Sequence, residues 1–220
     1  MTEIRWHGRG GLGAFTAARL LGCAVSLFEG KYALAFPSFG PERRGAPVFA
    51  FTRIDDKAIT DRSEVVSCDC AVVLDDTLFG DPVKKGLKPG ATVIINTTKD
   101  KSQFAIDGVQ VVTVDATGLA LEILGRPITN VPLLGALIAA TGITSVSAVE
   151  AAIDDQLAPK LRLRGTRESI AQFAVPVATL CTNSVLLARL GDMAVNAYSI
   201  ICYVASFSAA IFIGVSSGLQ

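Results

Sequence analysis

The stretch Arg5–Leu21, RWHGRGGLGAFTAARLL, sets Gly8, Gly10, Gly11 and Gly13 between a short apolar segment and a run with helical spacing. Upstream, Thr2, Ile4 and Trp6 alternate with Glu3, Arg5 and His7, the period-two pattern of a strand. Downstream, Phe15, Ala18, Leu21, Leu27 and Phe28 recur at helical spacing from Ala14 to Phe28, and Gly30 is a natural stop. Gly8, Gly10 and Gly13 therefore fit G-x-G-x-x-G at a strand-to-helix turn. In such a turn backbone amides can approach a phosphate closely, and the helix N-terminus adds partial positive charge.

Three readings of these glycines stand side by side. A dinucleotide site also calls for an acid near the end of the second strand; Glu29 has about the right spacing but falls at the end of the helix, so that fingerprint is half complete. The glycines also permit a tight turn and close helix-on-sheet packing with no ligand at all. A phosphate-bearing ligand other than a dinucleotide would suit the nearby cations Lys31, Arg43 and Arg44, because guanidinium forks match phosphate oxygens. The competing reading of the arginine pair is a salt-bridged interface rim.

Further along, KYALAF reads as a second strand ended by Pro37, PSFGPERRGAP as a loop, and VFAFTRI as a third strand closed by Asp55 and Asp56. The runs CAVVLD, ATVIINT and VQVVTVD have few polar interruptions, as strands of a parallel sheet covered on both faces require. NVPLLGALIAATG has Pro132 near a helix start and Gly142 just past its end. In SVSAVEAAIDDQL, Ser147 precedes Glu150 by three positions, a capping-box spacing ahead of an amphipathic helix. These two helices are expected to cover one face of the sheet.

The 220 residues are half hydrophobic, enough for one well-buried domain. Lys plus Arg and Asp plus Glu number 20 each, so no net charge draws the chain to nucleic acid. Five cysteines, Cys23, Cys68, Cys70, Cys181 and Cys202, lack the CxxC spacing of zinc or iron–sulfur sites and read as reduced core residues, with Cys68 and Cys70 at a strand edge. His7 has no paired carboxylate or nucleophile beside it in sequence and reads as a satisfied histidine at a strand end. The opening MTEIRWHGRGG lacks a basic region followed by an apolar one, so a cytoplasmic location is expected. Residues 193–220 carry no charge and exceed the ~20 residues of a membrane span, but their Ser, Ala and Gly content and the lack of basic flanks weigh against one.

HGRGGLGAFTAARLL and FEGKYALAFPSFGPERRGAPVFAFTRI together resemble the gamma subunit of the pyruvate and 2-oxoacid ferredoxin oxidoreductases. The matching positions are Gly8, Arg9, Gly10, Gly11 and Gly13, then Glu29, Gly30 and Lys31, then Phe39 through Gly45. NVPLLGALIAATG and SVSAVEAAI extend the likeness to about residue 160. The resemblance implies a Rossmann-like, doubly wound α/β domain with a mostly parallel sheet over residues 1–172, followed by an atypical hydrophobic tail at 173–220. It further implies a part in a larger enzyme, inactive alone, that oxidatively decarboxylates a 2-oxoacid such as pyruvate to its acyl-coenzyme A. Thiamine diphosphate and 4Fe–4S clusters would lie in the alpha, beta and delta partner subunits, with ferredoxin as electron acceptor. Gly8, Arg9, Gly10, Gly11, Gly13, Lys31, Arg43 and Arg44 are then the expected contacts to coenzyme A, whose phosphates need amides and guanidinium groups. Alternatives are a stand-alone nucleotide- or coenzyme A-binding module and a non-catalytic assembly or membrane-tethering subunit. Leu12 departs from the family's usual Gln, and the tail departs from its charged C-terminal helix; the tail is an anchor, a helix buried against another subunit, or a segment foreign to the family.

Overall fold

The computed structural model describes residues 1–38 and 45–162. Arg43, Arg44, the expected boundary at 172/173 and the apolar tail lie outside the described residues. Six strands, β1 (Thr2–Arg9), β2 (Tyr32–Pro37), β3 (Pro47–Asp55), β4 (Cys68–Val73), β5 (Leu87–Asn96) and β6 (Gln110–Val114), form one sheet in the order β2-β3-β1-β4-β5-β6. The pairs β1–β4, β4–β5 and β5–β6 are parallel. On the other side of β1, β3 runs antiparallel to both β1 and β2. Strand β4 is buried at every position but Asp69, and β5 is buried from Ala91 to Ile95, as their apolar runs require, while β6 at the edge is mostly half-buried.

The helices are α1 (Ala14–Cys23), α2 (Asp81–Lys84), α3 (Ala116–Leu124), α4 (Asn130–Thr141) and α5 (Val146–Arg162). One face of the sheet, through Ile4, Trp6, Val72 and Ile94, packs against α1, α4 and α5 in a single apolar cluster. Burying each such large side chain contributes roughly 1.5–3 kcal/mol. The core-facing Trp6 donates its indole N–H to the Thr52 hydroxyl at 3.0 Å, and Thr52 donates to the Ala18 carbonyl at 3.1 Å, so β1, β3 and α1 are joined by a satisfied polar relay. Helix α4 is buried from Asn130 to Ile138, apolar all round as a helix enclosed by other elements must be. The opposite face holds a second cluster, including Phe51, Val73, Val93, Val83 of α2 and Phe104.

Three local expectations change. The α-helix from Ala14 stops at Cys23 and continues as a π-helical segment, Ala24–Phe28, where the Ser26 hydroxyl takes the Gly22 carbonyl at 2.8 Å and competes with the regular ladder. Helix α5 is capped by Ser145 rather than by Ser147: the Ser145 hydroxyl accepts from the Ala148 amide at 3.2 Å. Cys68 and Cys70 are not at an edge but open the central strand β4, where a register shift between them turns their thiols into opposite apolar clusters.

Candidate functional site

Strand β1 is where the winding of the sheet reverses. The chain leaves β1 through α1, on the first cluster's face, and leaves β4 through α2, on the second cluster's face. Two adjacent parallel strands thus send their connections to opposite faces and open a crevice at their carboxyl ends, the usual place for ligands in open α/β sheets. The Gly10–Gly13 loop forms one wall of it and the turn after β4 the other.

Within the loop, backbone groups fall into two sets. The Gly10 amide donates to the Ala46 carbonyl at 2.9 Å, Gly45 donates back to the Gly10 carbonyl at 3.2 Å, and Leu12 closes a turn onto Arg9 at 2.9 Å. The amides of Gly11, Gly13, Ala14, Phe15 and Thr16 have no acceptor among the described residues. They include the first turn of α1, where a helix leaves its donors unpaired and its dipole positive. Gly13 holds φ +80°, and a Cβ there would lie 2.6 Å from Asn130 Nδ2, so the position admits glycine alone on two counts. Asn130, buried at the start of α4, donates to the Gly13 carbonyl at 3.3 Å. The Leu12 side chain is half-buried and packs against the first apolar cluster, so this position offers packing rather than a polar group.

Side chains close the crevice from beneath. Arg9 donates through Nε to Asp75 at 2.6 Å, through Nη2 to the Thr77 hydroxyl at 2.7 Å and through Nη1 to the Gly45 carbonyl at 3.1 Å, which locks three loops together. Partial burial, the largest single influence on Asp75, pushes its carboxyl up, yet the bonds from Thr77 and Arg9 outweigh it and hold the group below the usual carboxylate range. Asp76 is lowered first by Lys99, 2.9 Å away, and by the Thr97 hydroxyl. Asn96, at the end of β5, bridges the Leu74 carbonyl and Thr117 at 3.0 Å each. The Thr129 hydroxyl beside Asn130 is buried without a hydrogen-bond partner among the described residues.

The structure therefore brings Gly8, Arg9, Gly10, Gly11 and Gly13 to one place. It does not bring Lys31 there. That lysine precedes β2 at the end of the sheet where Tyr32 pairs with Asp55 and Thr2 with Ile54, about 20 Å along the strands from the loop. Glu29 lies at that far end as well and accepts from the Ser145 amide at 2.8 Å, latching the start of α5. The ribose arm of a dinucleotide site is thereby missing, since β2 is separated from β1 by antiparallel β3 and Glu29 is spent elsewhere. His7 departs from the satisfied strand-end expectation: it is buried against Phe49, 5.1 Å edge to face, and its Nε2 has no hydrogen-bond partner among the described residues. Burial and then the Arg5 charge push its pKa down to about 3, so it stays neutral and takes no acid–base part at the crevice. Asp75, Thr77, Asp76, Asn96, Thr117 and Asn130 escaped the sequence reading. The signal was their place at or just past the carboxyl ends of the predicted strands, or at the start of the helix NVPLLGALIAATG.

Residues 3–171 match the family model of pyruvate ferredoxin/flavodoxin oxidoreductase. Among curated relatives, the pyruvate/ketoisovalerate oxidoreductases common subunit gamma of Thermococcus litoralis is 49% identical over 178 residues, covering 79% of this chain and 96% of the relative. The crystal structure of pyruvate oxidoreductase subunit PORC from Thermotoga maritima superposes with a TM-score of 0.67 at 34% identity, covering 84% of this chain and 94% of that one. The 2-oxoglutarate:ferredoxin oxidoreductase of Magnetococcus marinus, solved with 2-oxoglutarate, coenzyme A and succinyl-CoA bound, shares the fold. It has a TM-score of 0.65 at 19% identity, over 85% of this chain and 31% of that one.

Proposed function

The chain belongs to the pyruvate ferredoxin/flavodoxin oxidoreductase family as a gamma-type subunit, and from that premise we propose that its switch-point crevice receives the phosphate-bearing part of coenzyme A during oxidation of pyruvate or a related 2-oxoacid. The observation that carries the reading is the set of amides at Gly11, Gly13, Ala14, Phe15 and Thr16 that have no acceptor among the described residues. Phosphate oxygens need several convergent donors, and an N-terminal helical turn with its dipole supplies them without a side chain. Arg9 keeps further N–H groups beyond its three bonds and neutralises Asp75 at the crevice floor. In this proposal Arg43 and Arg44, the two positions before Gly45 in sequence, add charge for the ligand, and Lys31 takes no part.

Among the described residues no group of three His, Cys, Asp or Glu side chains gathers that could hold a metal ion. In this proposal, thiamine diphosphate and the 4Fe–4S clusters belong to alpha, beta and delta partners, with ferredoxin as acceptor of the complex, as the family resemblance implies. This chain's task is to bind and orient the thiol carrier. No helix among the described residues is long and apolar enough to cross a membrane.

The test is to coexpress the chain with candidate alpha, beta and delta subunits and follow dye reduction with pyruvate and coenzyme A. Replacing Arg43 and Arg44 together by Ala should raise the KM for coenzyme A strongly while Lys31→Ala leaves it unchanged. An unaltered coenzyme A dependence in the double variant overturns the proposal. Loss of assembly in its place makes the arginines an interface.

A further inference from the structure

Asn130 stands 117 positions from the glycine loop and belongs to a different helix, yet its amide is divided between the two. Its Oδ1 accepts from the Val131 amide at 3.0 Å, which helps to start α4. Its Nδ2 donates to the Gly13 carbonyl, the same oxygen that accepts the first hydrogen bond of α1, from Ala17 at 3.0 Å.

A residue needed only to accept from the Val131 amide in the first turn of α4 could be Ser, Thr or Asp. None of these keeps an acceptor towards Val131 while presenting an N–H to Gly13; ionised Asp is acceptor-only, and Ser is too short to serve both. The lack of a Cβ at residue 13 completes the fit, because the Asn130 amide fills the space a side chain would take.

We infer that Asn130 is a positioning residue: through Gly13 it fixes the orientation of the first turn of α1, and with it the open amides of Gly13, Ala14, Phe15 and Thr16, for the anionic part of the ligand. The inference rests on the reading of this crevice as the coenzyme A site, but its geometric half is independent of the ligand's identity. Asn130 touches no ligand itself. It acts by holding one carbonyl, and α4, rigid in the core through Leu133, Leu134 and Leu137, is the anchor from which it does so.

The experiment uses the assembled complex carrying Asn130→Asp or Asn130→Ser. Thr129 is the N-cap of α4 and is untouched, so serine one position on keeps the complex folded for measurement. Hydrogen exchange is followed at Ala17, which shares the Gly13 carbonyl, with Leu133–Ile138 as internal reference. The KM values for coenzyme A and for pyruvate are measured in parallel. Loss of one hydrogen bond should speed exchange at Ala17 roughly fivefold to tenfold in both variants, leave the reference segment unchanged, and raise the KM for coenzyme A by a similar factor without moving that for pyruvate. Unchanged exchange at Ala17, or an equal rise throughout α4, overturns the inference; so does an effect on KM confined to Asp, which would be charge repulsion. Faster exchange at Ala17 with an unmoved coenzyme A KM upholds the positioning role and removes the coenzyme A reading.

Discussion

The two ends of β1 use charge in opposite ways. At the amino end, side chains consume one another: Arg53, its side chain 3% exposed, binds Glu3 at 3.1 Å and Asp61 at 3.3 Å, and Lys88 binds Glu3 at 3.2 Å and Asp69 at 2.9 Å. Arg53 also donates to the carbonyls of Asp61 and Ser63, so the loop before β4 is tied down too. At the carboxyl end, Arg9 is likewise spent on Asp75, Thr77 and Gly45, but the backbone beside it is left open. A closed set of ion pairs makes scaffold; a closed set of side chains around unpaired amides makes a receptacle. Burial alone would not separate the two, since both ends are part of the same well-packed sheet.

The comparison breaks most sharply at Gly86, which opens β5 at the amino end. A Cβ there would overlap the Val66 carbonyl oxygen at φ +82°. Gly86→Ala should cost more than about 3 kcal/mol, read as lost yield of folded complex or a large fall in midpoint of chemical unfolding; a stable variant would remove the amino end from the scaffold. Arg53→Met should cost about 3 kcal/mol, because Glu3 is left in a poorly solvated place without its main partner. Its coenzyme A KM should not move, and a shift there would show that the two ends are not separate.

Gly13→Ala probes the other end. The left-handed backbone and the approach to Asn130 should cost roughly 1–3 kcal/mol, and here, unlike at Gly86 or Arg53, the KM for coenzyme A should rise as well. His7 lies between the ends and gives a pH test. Its folded pKa of about 3 lies below the ordinary 6.5, so the unfolded chain binds the extra proton, and stability is full above pH 6.5 and declines as pH falls towards 3. Between pH 7 and pH 5 about 2 kcal/mol should be lost to this group. Denaturant titrations should show a flatter profile in His7→Asn, and an equal slope in both proteins would contradict the assignment. Arg9→Ala has the smallest expected effect on stability, about 1 kcal/mol for a partly exposed ion pair with its hydrogen bonds. Its mark should be on coenzyme A affinity, and equal KM values would reduce Arg9 to a loop clamp.

Much of this arrangement was legible in the residues. The turn at Gly8–Gly13 and the buried parallel strands follow from periodicity and glycine spacing, and α4 ends at Gly142 as the sequence suggests. What spacing could not convey was direction. The segments Tyr32–Pro37 and Pro47–Asp55 were expected as strands, but their antiparallel pairing places β3 between β2 and β1 and carries Lys31 to the end of the sheet away from Gly13. Residues close in sequence to the loop are thus far from it, while Asn130, remote in sequence, is in contact with it. Ser145 displaced Ser147 as the cap of α5 because its own amide is held by Glu29, a partner contributed by the segment after α1. Such pairings depend on tertiary placement, to which local pattern is blind.

The irregular step in β4 bears on chemistry that has nothing to do with substrates. By sending Cys68 to one interior and Cys70 to the other, it separates two sulfurs that the spelling Cys-Asp-Cys would put within reach of a common oxidant. Burial raises both thiols, Cys70 to about 12, so neither presents a nucleophilic thiolate at neutral pH. The same step leaves each of the two sulfurs enclosed by apolar side chains of its own face, so a disulfide between neighbours in the sequence is ruled out by the geometry of the strand itself.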